Sequence, residues 1–397
     1  MDNKFGMFIH WGLYALSAFH EQELLRADVP HAEYEKKMNE FNPVNYDPEQ
    51  WVLLAKEAGM KYICFTTKHH DGFCMWDTKC TDYNIMNTPY GKDVLKMLAE
   101  ACKKHGMLLS LYYSNPDWHH ENSFNTMSNT HQWKNKVQED NHFELYIQYI
   151  KDQITELLTN YGPIYTLFWD IPPSREDKSI NELARKLQPD ILINDRGFDK
   201  GDFSTPERDE KADAEGYRFV RMTEACNAVG EQSWGYREGE DLNSFWYLSS
   251  SIAEVMALGG NYLLNVGPRA DGTIDPEHAA LVKKIGNWYN RMNGSLENTE
   301  ADPFRYNIFM NKCIVNKKNG KSYFNFYKGL QSSAVDMEFY PNVPKKVTLL
   351  NTGKELPFKV EKLPCFSDDV GVAKDYLHIQ KIPVDDIWEP IALEIEW

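Results

Sequence analysis

No stretch of 18 consecutive apolar residues occurs in this 397-residue chain, so no segment reads as a membrane-spanning helix. The opening MDNKFGMFIHWG passes from four polar or initiating residues straight into a strand-like run, without an apolar signal-peptide core. A cytoplasmic location is the expectation, and an exported form trimmed of its signal stays open. The seven cysteines, at positions 64, 74, 80, 102, 226, 313 and 365, are odd in number and contain no CxxC pair. That pattern indicates neither a disulfide framework nor a zinc knuckle, and reduced, mostly buried thiols are expected. There is no run of basic residues, and the net charge is −16, which argues against nucleic acid and anionic membrane as partners. Internal repeats and low-complexity tracts are also lacking.

What is present is apolar and aromatic. Hydrophobic residues make up 42% of the chain, enough for a sizeable core. Most of the 11 Trp and 22 Tyr belong to that core, but the surplus suits flat apolar ligand faces such as sugar rings.

Short apolar runs alternate with helical periodicity through the first three-quarters of the chain. Strand-like runs are FGMFIH (5–10), KYICFTT (61–67), MLLSLYYS (107–114), GPIYTLFWD (162–170), DILIND (190–195) and NYLLNVGP (261–268). Helical patterns fall at 48–59, ended by Gly59, and at 91–106, near 140–160, near 178–187, near 243–258 and at 276–292. Repeated βα units with near-continuous apolar strands predict a parallel sheet, and seven or eight such strands predict a (β/α)8 barrel. Beyond Gly294 the texture changes to short β-rich runs, KCIVNK, SYFNFY, KKVTLL and ALEIEW, separated by Asn-Gly, Pro and Thr-Gly turns. The expectation is an α/β (β/α)8-like catalytic domain over residues 1–296, then an antiparallel β-sandwich over 297–397.

Active sites of such barrels lie at the carboxyl ends of the strands. Polar residues just past the apolar runs are therefore the candidates: His10, His69 and His70, Tyr112 and Tyr113, Asp170, Asn194 and Arg196. In TTKHHDGF both histidines sit where the second strand hands over to its loop, and Gly72 lets that loop bend. Asp170 precedes Ile171-Pro172-Pro173, a poor helix start, so it reads as catalytic rather than as a cap. A zinc reading of His10, His69, His70 and Asp170 fits the residue types. Against it, no HxH or HxxxH pair is present, and the flanking Trp and Tyr suggest a hydroxyl-rich organic ligand. A neutral imidazole offers one donor and one acceptor, which suits a sugar hydroxyl.

Taken together, FGMFIHWGLYA, NEFNPVNYDPEQWVLLAKEAGMKYICFTTKHHDGFCMWDTKCTDYN, LYYS, LFWD, INDRG…GDFSTPE, SWGYRE and GGNYLLNVGPRADGTI resemble the α-L-fucosidases of glycoside hydrolase family 29. The resemblance runs in order from residue 5 to about 294. It implies a (β/α)8-like barrel, irregular around its fifth and sixth helices, a C-terminal β-sandwich, and retaining hydrolysis of terminal α-linked L-fucose without metal or organic cofactor. It implies that Asp170, closing LFWD, is the nucleophile and that Glu207, in GDFSTPE, is the acid/base. His10, His69, His70, Tyr112 and Arg196 would line the fucose site, and Trp234 would pack on the apolar side of the sugar. Glu21 would also contact fucose, whereas the Trp that often follows it is replaced by Gln22. The residue after the nucleophile is often Gly and here is Ile171. Glu210, Glu215, Glu224, Glu231 and Glu238 stay open as competitors for the acid/base role.

The implied partner is a fucosylated oligosaccharide or glycoconjugate, and self-association into a homo-oligomer is left open. Three rivals remain at this level: another retaining α-glycosidase of galactoside type, a metal-dependent hydrolase on the same barrel, and a catalytically silent fucose-binding protein, against which the presence of both carboxylates argues.

Overall fold

The computed structural model describes residues 3–123, 142–173, 177–208, 211, 214–215, 218–302, 308, 311–338, 342–363 and 375–397. Six of the seven barrel strands form where the apolar runs predict them, and the seventh, Glu224–Ala228, lies in a polar stretch where no strand is expected. β1 (Phe5–Ile9), β2 (Tyr62–Lys68) and the strand Asn261–Val266 are buried at every position, as strands covered on both faces must be. Between β2 and that strand come β3 (Leu108–Ser114), β4 (Thr166–Asp170), β5 (Leu192–Ile193) and β6 (Glu224–Ala228), so Asn261–Val266 is β7. All pair in parallel in the order β5-β4-β3-β2-β1-β7-β6.

This seven-stranded sheet curls, and residues 202–208 bridge its two edges. On one side the Asp195 amide donates to the Phe203 carbonyl (2.9 Å) and the Asp202 amide to Ile193 (2.6 Å). On the other, the Glu224 amide donates to Ser204 (2.8 Å) and the Cys226 amide to Pro206 (3.0 Å). These parallel bridges supply the missing eighth stave without forming a regular ladder. The polar composition of GDFSTPE, with Pro206 unable to donate, explains why no strand is legible there.

The helices begin and end on chemical signals. Asp47 caps Pro48–Glu57 by accepting from the Glu49 amide, with Pro48 in the first turn. Asp93 caps Val94–His105, which stops at left-handed Gly106 with Lys103, Lys104 and His105 in its last turn. Phe143–Asn160, Ser179–Leu187, Phe245–Ala257 and Pro276–Leu296 complete the outer layer. No helix occurs between β5 and 202, and among the described residues a two-stranded hairpin (Ala214–Glu215 with Arg218–Phe219) takes the place of one before β6. The irregularity therefore falls where the resemblance implies it. Among the described residues, no helix is long and apolar enough to cross a membrane.

After Leu296 two antiparallel sheets face one another across a single core. The six-stranded sheet contributes Phe324, Phe326, Val347, Leu349, Leu393 and Ile395, and the three-stranded sheet Val335, Met337, Leu377 and Ile379. The outer face of the larger sheet rests on the barrel: Asn316 donates to the Ala257 carbonyl (3.0 Å), and Arg291 pairs with Glu389 (2.7 Å). The six cysteines among the described residues are free and mostly buried, as expected; Cys365 lies outside the described residues.

Candidate active site

At the carboxyl end of the barrel, a cavity of about 60 Å³ is lined by eight of the nine expected residues: His10, Glu21, His69, His70, Tyr112, Asp170, Glu207 and Trp234. The ninth, Arg196, reaches the same point from behind. It donates through one nitrogen to both Asp170 Oδ1 (3.0 Å) and Glu207 Oε2 (2.8 Å), and through the other to the Thr205 carbonyl. Larger, more open cavities elsewhere on the surface contain none of these groups.

Asp170 is the most heavily supported group. Its Oδ1 accepts from Arg196 and from the Ile171 amide (2.9 Å), and its Oδ2 from the Tyr112 hydroxyl (2.7 Å). His70 Nε2 stands 3.7 Å from Oδ2. Burial, and then the negative charge of Asp170, push the Tyr112 phenol well above its ordinary pKa, so it remains a donor. Burial works against the charge on Arg196, but Glu207 and Asp170 outweigh it and raise its pKa. The guanidinium is a permanent cation between two carboxylates.

The imidazoles are oriented from behind. Asn265 donates its amide to the Trp234 carbonyl (2.7 Å), so its oxygen accepts from His10 Nδ1 (2.6 Å) and leaves Nε2 as the acceptor. The Ser114 hydroxyl donates to the Pro116 carbonyl (2.6 Å) and accepts from His70 Nδ1 (2.6 Å), with the same result for His70. Burial lowers the pKa of His10, which keeps it neutral. The ladder register shifts between Thr66 and Lys68. That bulge lets Lys68 pair with Asp117 (2.9 Å) in the layer outside the barrel while both histidines turn inward, their rings 4.2 Å apart. Gly72 turns the loop at a φ of +80°, and a Cβ there would lie 2.2 Å from Asp117.

Part of the wall is apolar: Phe8, Phe168 and Trp234 line the cavity, and Arg208 lies over the Trp234 ring at 5.1 Å. Glu21 is buried and holds that wall in place. Its Oε2 accepts from the Ser233 hydroxyl (2.8 Å) and from the Trp234 and Gly235 amides (2.9 and 3.3 Å).

Two strand-end candidates are not in the site. Tyr113 alternates outward from Tyr112 and donates to Gln153 (2.6 Å) in the helix layer. Asn194 braces the barrel wall, accepting from the Trp169 amide and donating to its carbonyl (both 2.8 Å). Among the competing glutamates, Glu231 and Glu238 are exposed and do not line the cavity. Glu224 opens β6 at the opposite end of the barrel, accepting from Tyr62 (2.5 Å). Glu210 and the side chain of Glu215 lie outside the described residues. Residue-type reasoning missed Gln22, Phe8, Phe168 and Cys226 as lining residues, and Asn265 and Ser114 as orienting ones. Period-two alternation back from His10 and Asp170 points to Phe8 and Phe168; nothing in the local sequence marks the others.

His69, His70 and Asp170 also place three ligand atoms within 4.8 Å of one another, the arrangement a metal reading requires. The donor set speaks against it. Both Asp170 oxygens already accept hydrogen bonds, one of them from a guanidinium, so a metal cation would sit beside a fixed positive charge.

Known proteins resemble this chain over most or all of its length. The family model described as alpha-L-fucosidase matches residues 1–295. The tissue alpha-L-fucosidase of Mus musculus is 24% identical, over 98% of this chain and 89% of its own. Alpha-L-fucosidase isoenzyme 1 from Paenibacillus thiaminolyticus is 30% identical, with a TM-score of 0.84 over 100% of this chain and 97% of that one. A family 29 alpha-L-fucosidase from Bacteroides thetaiotaomicron, trapped as a covalent intermediate with 2-fluoro-fucosyl fluoride, is 25% identical with a TM-score of 0.79, covering 100% and 94%.

Proposed function

This chain belongs to the alpha-L-fucosidase family, and from that membership we propose that it releases terminal α-L-fucosyl residues from oligosaccharides or glycoconjugates with net retention, through a covalent fucosyl-enzyme. Asp170 is the nucleophile and Glu207 the acid/base. The observation that carries this reading is the shared Arg196 nitrogen. It lies within hydrogen-bond reach of both carboxylates, so the two oxygens are no farther apart than the two bonds laid end to end, under about 6 Å. Retaining pairs stand about 5–5.5 Å apart, whereas inverting pairs need roughly 6.5–9.5 Å to admit a water.

The surroundings divide the labour. Asp170, ionised and aimed by Tyr112, Arg196 and the Ile171 amide, attacks the anomeric carbon. Glu207 is 46% exposed toward the mouth, where a leaving group departs. As general acid, Glu207 gives its proton to the departing glycosidic oxygen. After the aglycone leaves, the same carboxylate takes a proton from water. His10 and His70 offer Nε2 to sugar hydroxyls, and Phe8, Phe168 and Trp234 face the ring's apolar side. Among glycosidases of this chemistry, family membership selects fucose over galactose.

An aryl α-L-fucoside assayed beside the aryl α-D-galactoside tests the substrate. Turnover of the fucoside, unchanged after dialysis against EDTA, is expected; preference for the galactoside or metal-restored activity would overturn it. Glu207→Ala should slow natural disaccharides by about 10²–10⁴-fold. On the aryl fucoside it should be rescued by azide, giving fucosyl azide of retained configuration. Wild-type behaviour on both substrates would move the acid/base role elsewhere.

A further inference from the structure

Away from the sugar-binding cavity, three side chains from two distant stretches of sequence converge on one point. His31 and Glu35 lie one turn apart on a segment that is α-helical over His31–Tyr34 and tightens to a 3₁₀ turn over Glu35–Asn39. That spacing puts them on one face, with His31 Nδ1 3.1 Å from Glu35 Oε1. His119 arrives from the loop after β3, and its Nδ1 lies 2.5 Å from the same oxygen. The three ligand atoms fall within 4.8 Å of one another.

The third ligand is held in advance. The His119 amide donates to Asp117 Oδ1 (2.9 Å), and Asp117 is locked by its buried pair with Lys68 (2.9 Å). Its ring stacks on Tyr83 at 4.3 Å and faces the His31 ring at 6.0 Å. The side chains are only partly covered, with exposures of 23% for His31, 33% for Glu35 and 32% for His119, so an ion can enter and water can complete its coordination.

We propose that His31, Glu35 and His119 form a binding site for a zinc-class divalent ion at the rim of the barrel. Two imidazole nitrogens and one carboxylate oxygen suit zinc and its neighbours rather than magnesium or calcium. Tetrahedral ligands at ~2.0–2.1 Å from zinc stand about 3.3 Å from one another. The His31–Glu35 pair already has nearly that spacing, and the His119–Glu35 pair opens by less than about 1 Å. On binding, each imidazole offers an unprotonated Nδ1 and carries its proton on Nε2, so the affinity falls in acid. The ion would fasten the 21–39 loop to the loop after β3. That first loop presents Glu21 and Gln22 to the cavity, and its Tyr34 donates to Asp71 (2.8 Å). The ion stabilises the rim and takes no part in the chemistry at Asp170.

The full chain, stripped with chelator and titrated calorimetrically with zinc chloride, tests this, with cobalt(II) absorption reporting the ligand set. One equivalent bound with micromolar affinity and a raised Tm are expected. Glu35→Gln and His119→Ala should each weaken binding by about 100-fold or more, beyond the roughly 10–100-fold typical of losing an outer partner. His70→Asn should leave binding intact, which separates this site from the His69, His70 and Asp170 group. Glu35→Gln keeps the shape of the side chain, so a folding defect in His119→Ala would not spoil the test. No binding at millimolar zinc, binding that survives Glu35→Gln, or binding lost in His70→Asn would each overturn the proposal.

Discussion

Ile171 follows Asp170, the proposed nucleophile, with a φ of +59°, in the left-handed region that a β-branched side chain occupies only at a cost. The turn persists because Asn115 donates to the Ile171 carbonyl (2.8 Å) and the Ile171 amide donates to Asp170 Oδ1 (2.9 Å). The strain is thus tied to the turn that aims Asp170. Ile171→Gly should remove about 1–2 kcal/mol of steric cost. Against this stand roughly 0.5–1 kcal/mol of added chain freedom and the loss of a half-buried side chain. Urea unfolding should therefore place the variant within about 1 kcal/mol of wild type; a loss above about 2 kcal/mol would contradict the strain. At this scale residue type at a strand end was a good guide for His10, His70 and Asp170. It misled at Tyr113, because neighbours on a strand face opposite ways. Glu21 and Glu207 were legible only through family resemblance, since neither ends an apolar run.

Among the elements, β5 is the weak stave: two residues long, followed by a segment bridged at isolated points. Asn194 repairs the gap, its amide side chain giving Trp169 the two hydrogen bonds that the shortened strand cannot. It also reaches Thr205 (3.3 Å) in the closing segment. Asn194→Ala strands a buried amide and a buried carbonyl, each costing about 1–3 kcal/mol, so denaturant unfolding should show a loss of roughly 2–4 kcal/mol. A loss below about 1 kcal/mol would mean that backbone bridges alone close the barrel. The long apolar strands and the capped helices were readable because local pattern and tertiary burial agree there. The closing segment was not, because its pairing depends on both sheet edges arriving first. The smaller sheet of the sandwich escaped for a related reason: strands such as Phe358–Lys362 and Asp375–Ile379 are short and interrupt their apolar residues with charged ones or histidine, and their pattern appears only once they pair.

For the molecule as a whole, the barrel keeps its two ends chemically distinct. The carboxyl end gathers Asp170 and Glu207 around Arg196, and the other end buries Glu224 with a single donor among the described residues, Tyr62. Burial raises the Glu224 pKa from 4.5 to about 7, against the smaller opposing effect of Tyr62. The unfolded chain releases this proton near 4.5 and the folded chain near 7, so stability falls as the pH rises between those values and levels off above. The total is about 3 kcal/mol. Glu224→Gln keeps an acceptor for Tyr62 and removes the titration. Its stability relative to wild type, from urea unfolding, should improve by about 2–3 kcal/mol between pH 5 and pH 8; a change below about 1 kcal/mol would contradict the buried acid. At the carboxyl end of the barrel, the proposed chemistry requires Asp170 to form the covalent bond. Wild-type protein treated with a 2-deoxy-2-fluoro-fucosyl fluoride, digested and mapped by mass spectrometry, should carry one fucosyl group on Asp170. A label on any other carboxylate, or inactivation without a label, would contradict it.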